Sequence, residues 1–153
     1  MRISEYLRQE YCVMDLKARD KRCAIQEIAK VLGKNKDLVD PKAFLHAVFK
    51  REALGSTGIG MGIAMPHCRT DAVREFVIGF GRSKKGIDFD SLDGKKAHFI
   101  FLMGASNRDL NMYLRLLAEL SKVVIDADFK KKLMKAKTAK EVASLFAGGK
   151  KKL

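Results

Sequence analysis

Apolar residues recur at three- and four-residue steps early in the chain, close into near-continuous runs in the middle, and return to the helical period toward the end. Asp20 is placed to cap a helix that ends at Gly33 and keeps Ile25, Ile28, Ala29 and Leu32 on one face. Asp40-Pro41 opens a second helix, with proline in the first turn, where no N–H is needed. That helix turns Phe44, Ala47, Val48 and Leu54 inward and carries Arg51 near its end. Ile63-Ala64-Met65 reads as a short strand that Pro66 keeps extended, so His67 arrives at its C-terminal end. "FVIGF" (76–80) and "AHFIFLM" (97–103) are further strands, the second as apolar as a strand covered on both faces must be. Turn signals at Gly86 and Asp93-Gly94 separate them. From Asp109 a long helix lines up Leu110, Tyr113, Leu117, Leu120 and Val124. Two shorter helices follow, the last opened by a capping box, Thr138-x-x-Glu141.

Helices before, between and after strands too apolar to have a wet face imply an α/β fold with helices on both sides of a central sheet. Residues 1–147 read as a single domain and 148–153, "GGKKKL", as a loose basic tail. No repeat or internal linker divides the chain, and no membrane, phosphocarrier or DNA-binding domain is expected beside it.

One stretch concentrates unusual chemistry. "REALGSTGIGMGIAMPHC" (51–68) holds Gly55, Gly58, Gly60 and Gly62 and ends in Pro66-His67-Cys68. A phosphate-binding nucleotide loop is excluded, because Gly62 is followed by Ile63 rather than Lys and Ser or Thr, and the segment before the glycines reads as a helix rather than a strand. A Cys68–His67 dyad is disfavoured too, since neighbours on an extended chain point to opposite sides. His46, within an amphipathic helix, and His98, within an apolar strand, read as packing residues.

Composition narrows the classes further. The chain is 153 residues long and 47% hydrophobic, enough for a core without disulfides. No run approaches the roughly 20 apolar residues of a membrane span, and "MRISEYLRQEY" lacks a signal-peptide core, so membrane insertion is excluded and a cytoplasmic location expected. Cys12, Cys23 and Cys68 are an odd, scattered set that fits neither a disulfide framework nor a structural zinc site. Lys+Arg 31 against Asp+Glu 18 gives a net charge of +13, which favours anionic partners. The lysines are sprinkled as Lys84-Lys85, Lys95-Lys96, Lys130 to Lys132 and Lys150 to Lys152, without a recognition helix or aromatic RNA-binding strand, so nucleic acid is not the expected partner.

Glu52, six residues, Ile59-Gly60, two residues, then Ile63-Ala64-Met65-Pro66-His67-Cys68 resembles the phosphorylation-site signature of type-2 enzyme IIA proteins. These are the fructose, mannitol and nitrogen-regulatory IIA domains of the bacterial phosphoenolpyruvate-dependent phosphotransferase system. The similarity runs from "MDLKARDKRCAIQEIAKVLG" through "LDGKKAHFIFLM" to "YLRLLAELSKVV". It implies a three-layer α/β/α sandwich around a mixed, about five-stranded sheet. It also implies a phosphohistidine intermediate on His67, loaded by a histidine phosphocarrier protein, with no cofactor and no metal. Arg51, sixteen positions before His67, falls on an arginine near the family's active site, and Gly55, Ser56, Thr57, Gly58, Gly60 and Gly62 fall on its glycine loop. The chemistry suits the residue types: neutral imidazole is a nucleophile near pH 7, and phosphoryl transfer otherwise needs mainly positioning and charge neutralisation, which loop N–H groups and an arginine fork can supply.

The chain departs from the family in two places. Many members carry a second histidine about 46 positions after the first; here 113 − 67 = 46, and the residue is Tyr113. A phenol donates one hydrogen bond but cannot become a cation near neutral pH, so transfer should be slower, which signalling tolerates better than sugar uptake. Met61 stands where relatives often have a polar loop residue. A regulatory IIA protein of the nitrogen type is therefore expected, acting on a regulatory target. The alternatives are a sugar-transport IIA that serves a separate IIB or permease component, and a non-phosphorylated interaction module.

Overall fold

The computed structural model describes residues 2–148. After two single 3-10 turns, Ile3–Glu5 and Gln9–Tyr11, the chain forms strand β1 (Cys12–Val13) and helices α1 (Lys21–Leu32) and α2 (Pro41–Leu54). Strands β2 (Gly58–Gly60), β3 (Ile63–Ala64), β4 (His67–Arg69), β5 (Val77–Ile87) and β6 (Ala97–Ala105) follow. Helices α3 (Leu110–Val124), α4 (Ala127–Lys135) and α5 (Ala139–Gly148) complete the chain. Residues 149–153 of the expected tail lie outside the described residues, and Gly148 closes α5.

The sheet runs β1-β5-β6-β3-β2, with β4 continuing the lane of β3 along β6. Five lanes result, and they are mixed: β1 lies parallel to β5, β5 antiparallel to β6, β3 and β4 parallel to β6, and β2 antiparallel to β3. Along β6 the side chains alternate between two cores, as the pleat requires. Phe99, Phe101, Met103 and Ala105 pack with Leu116 and Leu120 of α3, Leu133 of α4 and Phe146 of α5. Ile100 and Leu102 pack with Ile25, Ile28 and Leu32 of α1 and Phe44 and Val48 of α2. Helices thus cover both faces, which makes the three-layer α/β/α architecture. Gly81 of β5 lets α1 lie close, since a Cβ there would come within 2.7 Å of Ile28 Cδ1.

The helix caps form at the expected aspartates: Cys23 N donates to Asp20 Oδ1 at 2.8 Å and Met112 N to Asp109 Oδ1 at 3.0 Å. The Thr138–Glu141 box also closes, with Glu141 N 3.1 Å from Thr138 Oγ1 and Thr138 N 3.2 Å from Glu141 Oε1.

Four details differ from the expectation. The strand begun at "FVIGF" runs on to Ile87, so Gly86 lies within β5 in a left-handed conformation (φ +88°) rather than between strands. Leu54, expected inward, is 85% exposed at the last position of α2. Leu110 is exposed as well, and the buried stripe of α3 is Tyr113, Leu116, Leu120 and Val124. Finally, His67 does not end the strand of Ile63 but begins β4: Pro66 has no N–H for the ladder, though its carbonyl still accepts from Met103 N at 3.0 Å. Among the described residues no helix is long and apolar enough to cross a membrane.

Candidate functional site

Arg51 stands in the last turn of α2, where a basic side chain complements the helix C-terminus. The chain then folds back on Glu52, which is only 8% exposed. Its carboxylate accepts from Thr57 N at 2.9 Å and Thr57 Oγ1 at 2.6 Å and pairs with Lys21 Nζ at 3.0 Å. These donors compensate a buried charge that would otherwise be costly. The turn so held sets the Gly55 carbonyl to accept from Arg51 Nη1 at 2.9 Å, which orients the guanidinium.

His67 is half-buried at the start of β4, and its Nδ1 lies 2.6 Å from the Met65 carbonyl oxygen. A carbonyl only accepts, so Nδ1 carries the proton and Nε2 keeps its lone pair. Burial pushes the imidazole below its ordinary pKa of 6.5, and the Arg51 cation adds to that; the Met65 carbonyl and Glu52 oppose it more weakly than burial acts. The net result is a neutral ring near pH 7, with one nucleophilic nitrogen.

Tyr113, in the first turn of α3, brings its ring to a centroid distance of 6.0 Å from His67. Burial raises its pKa far above the ordinary phenol value, so the hydroxyl stays protonated. Among the described residues nothing hydrogen-bonds that hydroxyl. A cleft of about 550 Å³ joins His67, Tyr113, Arg51, Arg69, Asn107 and Leu54. Three residues singled out in the sequence, Arg51, His67 and Tyr113, therefore converge from α2, β4 and α3.

The glycine segment is placed differently. None of Gly55, Ser56, Thr57, Gly58, Gly60 and Gly62 is among the residues lining the cleft. Their donors serve the fold instead: the Ser56 hydroxyl donates to the Phe89 carbonyl, Gly58 N to Ser56 Oγ at 3.0 Å, and Thr57 to Glu52. Gly60 and Gly62, at φ +94° and +82°, flank Met61 in the tight tip of the β2–β3 hairpin. Met61 N donates there to Asp93 Oδ2 at 2.9 Å. Among the described residues, the segment's hydrogen bond to a side chain lining the cleft is that of the Gly55 carbonyl with Arg51.

Asn107 and Arg69 escaped the sequence reading. Asn107 lies in the turn between β6 and α3, where its Nδ2 donates to Asp71 Oδ1 at 3.0 Å. The pairing of β4 with the end of β6 brings Asn107 beside His67, which no local pattern marks, whereas Arg69, two residues after His67 in β4, shares its face by the two-residue period of a strand. Cys68 is buried and its thiol is pushed up to about 12, so no thiolate is available beside His67. His98 Nδ1 sits 2.9 Å from the Ser83 carbonyl, and His46 is exposed on α2.

This α/β/α frame is that of a phosphotransferase-system IIA domain. Residues 5–148 match the family described as phosphoenolpyruvate-dependent sugar phosphotransferase system, EIIA 2, and the chain belongs to that family. It is 36% identical over 146 residues to the PTS system fructose-specific EIIABC component of Bacillus subtilis, covering 95% of this chain but 23% of that protein. It is 30% identical over 151 residues to the nitrogen regulatory protein of Bradyrhizobium diazoefficiens, covering 96% of this chain and 95% of that one. Its fold resembles the nitrogen regulatory protein IIA-Ntr of Neisseria meningitidis with a TM-score of 0.87 at 28% identity, over 94% of this chain and 98% of that one.

Proposed function

We propose that this protein carries a phosphoryl group on His67 Nε2, received from a histidine phosphocarrier protein, and that it acts in the cytoplasm as a regulatory component of the nitrogen type. The observation that carries this is the Met65 carbonyl on Nδ1, which leaves Nε2 as the unprotonated nitrogen of an imidazole lining the cleft.

The step balances without a cofactor. The Nε2 lone pair attacks phosphorus while the P–N bond to the carrier's imidazole breaks. If the donor ring is protonated on its other nitrogen, it leaves neutral, and His67 becomes a phosphoimidazolium that keeps its Nδ1 proton on Met65 O. Arg51 neutralises the phosphoryl oxygens, held in place by Gly55, and the Tyr113 hydroxyl donates one hydrogen bond. The glycine segment then serves by fixing that turn rather than by cradling phosphate. Return of the group to the phosphocarrier's imidazole, or hydrolysis to inorganic phosphate, resets the state, and a regulatory target reads it.

The test is incubation with phosphoenolpyruvate, enzyme I and phosphocarrier, followed by mass measurement. An acid-labile gain of one phosphate is expected, lost in His67→Ala and kept in His46→Ala and His98→Ala. Persistence in His67→Ala would overturn the assignment. The structural likeness to IIA-Ntr and the tyrosine in place of a second imidazole support the regulatory reading. The 36% identity to the fructose-specific protein supports a second reading, delivery to a IIB or permease component, and transfer onward to a sugar-specific IIB would favour it.

A further inference from the structure

Another cleft, of about 540 Å³, opens at the far end of the sheet from His67. Ile87 of β5 pairs with Ala97 of β6, six positions before Met103, the partner of His67. At about 3.3 Å per residue the two places lie roughly 20 Å apart along the strand. Five cations line this cleft from three separate stretches: Lys17 and Arg19 from the loop between β1 and α1, Lys84 and Lys85 from β5, and Lys96 from the position before β6. All five are exposed, and among the described residues none of them forms an ion pair. The carboxylate among the lining residues, that of Asp15, lies 3.8 Å from Arg82 Nη2.

The backbone that carries these cations is held from within. Leu16 N donates to the Arg82 carbonyl at 2.8 Å, and the Glu27 carboxylate of α1 accepts from Lys17 N and Ala18 N, each at 3.0 Å. On the other wall Gly86, at φ +88°, closes a turn in which its N–H donates to Ser83 Oγ at 3.0 Å. The Ser83 carbonyl in turn lies 2.9 Å from His98 Nδ1. A Cβ on Gly86 would stand 2.8 Å from Lys96 Cβ, so glycine lets the lysines of β5 and Lys96 share one wall. Five like charges held around one concavity repel each other, and a bound anion relieves that repulsion.

We infer that this cleft binds a small molecule bearing two or more phosphate groups, independently of the chemistry at His67. Its volume is that of a small-ligand pocket. Four of the five cations are lysines, point charges that suit phosphate oxygens, whereas a planar carboxylate is best matched by a guanidinium fork, which Arg19 alone supplies. Several positive charges against one carboxylate call for more than one anionic group on the ligand. Among the described residues no aromatic side chain lines the cleft, so a nucleobase finds no stacking platform there, and the phosphates carry the recognition.

The test is isothermal titration calorimetry of the full chain with tripolyphosphate at low salt. Saturable binding of one ligand per chain is expected, weakening as salt rises. Replacing Lys84, Lys85 and Lys96 together by Gln should weaken it by about tenfold or more, and orthophosphate should bind the wild type about tenfold more weakly than tripolyphosphate. Lys17→Gln with Arg19→Gln, on the other wall, should weaken binding as well, and circular dichroism establishes that both variants are folded. Lys50→Gln, Arg51→Gln and Arg69→Gln together remove the same charge from the His67 cleft and should leave binding unchanged. Absence of saturable binding to the wild type, or wild-type affinity in both distal variants, overturns the site. A loss in the His67-cleft variant as large as in the distal ones overturns it in favour of that cleft or of diffuse charge. Citrate or orthophosphate binding as tightly as tripolyphosphate overturns the requirement for several phosphates. Tighter binding of a short DNA duplex, lost in the same distal variants, overturns the small ligand in favour of nucleic acid.

Discussion

The His67 imidazole and the Tyr113 phenol face each other with ring centroids 6.0 Å apart and planes tilted by 55°. One ring comes from the start of β4 and the other from the first turn of α3, 46 residues later. If the phenol serves the phosphoryl group, Tyr113→Phe should slow transfer and Tyr113→His, which restores a potential cation, should speed it by about tenfold, or about 1.4 kcal/mol. Rapid-quench measurement per folded molecule is the check. Equal rates in all three proteins would reduce Tyr113 to a packing residue.

His67 should titrate below its ordinary 6.5, because burial disfavours the cation. A proton-detected NMR titration of the ring should place the midpoint under that value, and the transfer rate should be level from pH 6.5 to 8. The same shift has a stability consequence. Below pH 6.5 the unfolded chain binds a proton at this position that the folded chain resists, so stability falls as pH falls through that window and recovers above it. Replacing His67 by Gln should flatten that part of the stability profile.

Arg51 donates to Gly55 and presents the rest of its fork to the cleft. Arg51→Lys keeps the charge but loses the planar geometry, so transfer should drop by about tenfold, and Arg51→Ala by about a hundredfold. The fold should be unaffected, because the residue is not in the core. Single-turnover rates with phosphocarrier in excess distinguish this from weakened docking.

Arg82, 3% exposed within β5, bridges sheet and helices. Its Nε donates to the Met14 carbonyl at 3.0 Å, and its Nη1 to Leu133 at 3.0 Å and Ala136 at 2.6 Å, at the C-terminal end of α4. Arg82→Met should cost about 3 kcal/mol in urea unfolding, since buried carbonyls lose their donors and the helix end loses a complementary charge. Arg82→Lys, with fewer donors, should cost less than Met but more than the wild-type baseline of zero. A neutral result in both would mean that water replaces the guanidinium.

What the chain announced by itself was local. Asp20, Asp40, Asp109 and the Thr138–Glu141 pair mark helix starts because a cap is made within three residues, and the alternation in β6 is visible because the pleat repeats every two. The signature around His67 was equally local; the family resemblance it carries, rather than any pattern within this chain, pointed to Arg51 and Tyr113. Tertiary structure decided the rest. Whether Ser83 to Ile87 joins a strand depends on a partner across the sheet, so polar Lys84-Lys85 concealed the length of β5. Where the donors of the glycine segment point depends on Phe89 and Asp93, which the fold brings to the Ser56 hydroxyl and the Met61 N–H, and on Glu52, onto which the chain folds back to meet Thr57. Asn107 and exposed Leu54 became neighbours of His67 only because β4 pairs with the end of β6 while α2 packs against β4; Arg69, two residues along the same strand, was the one local neighbour of the three. A residue type and its spacing carry information about its own turn or strand; the environment that tunes its charge and chooses its partner comes from contacts distant in sequence, which no local pattern encodes.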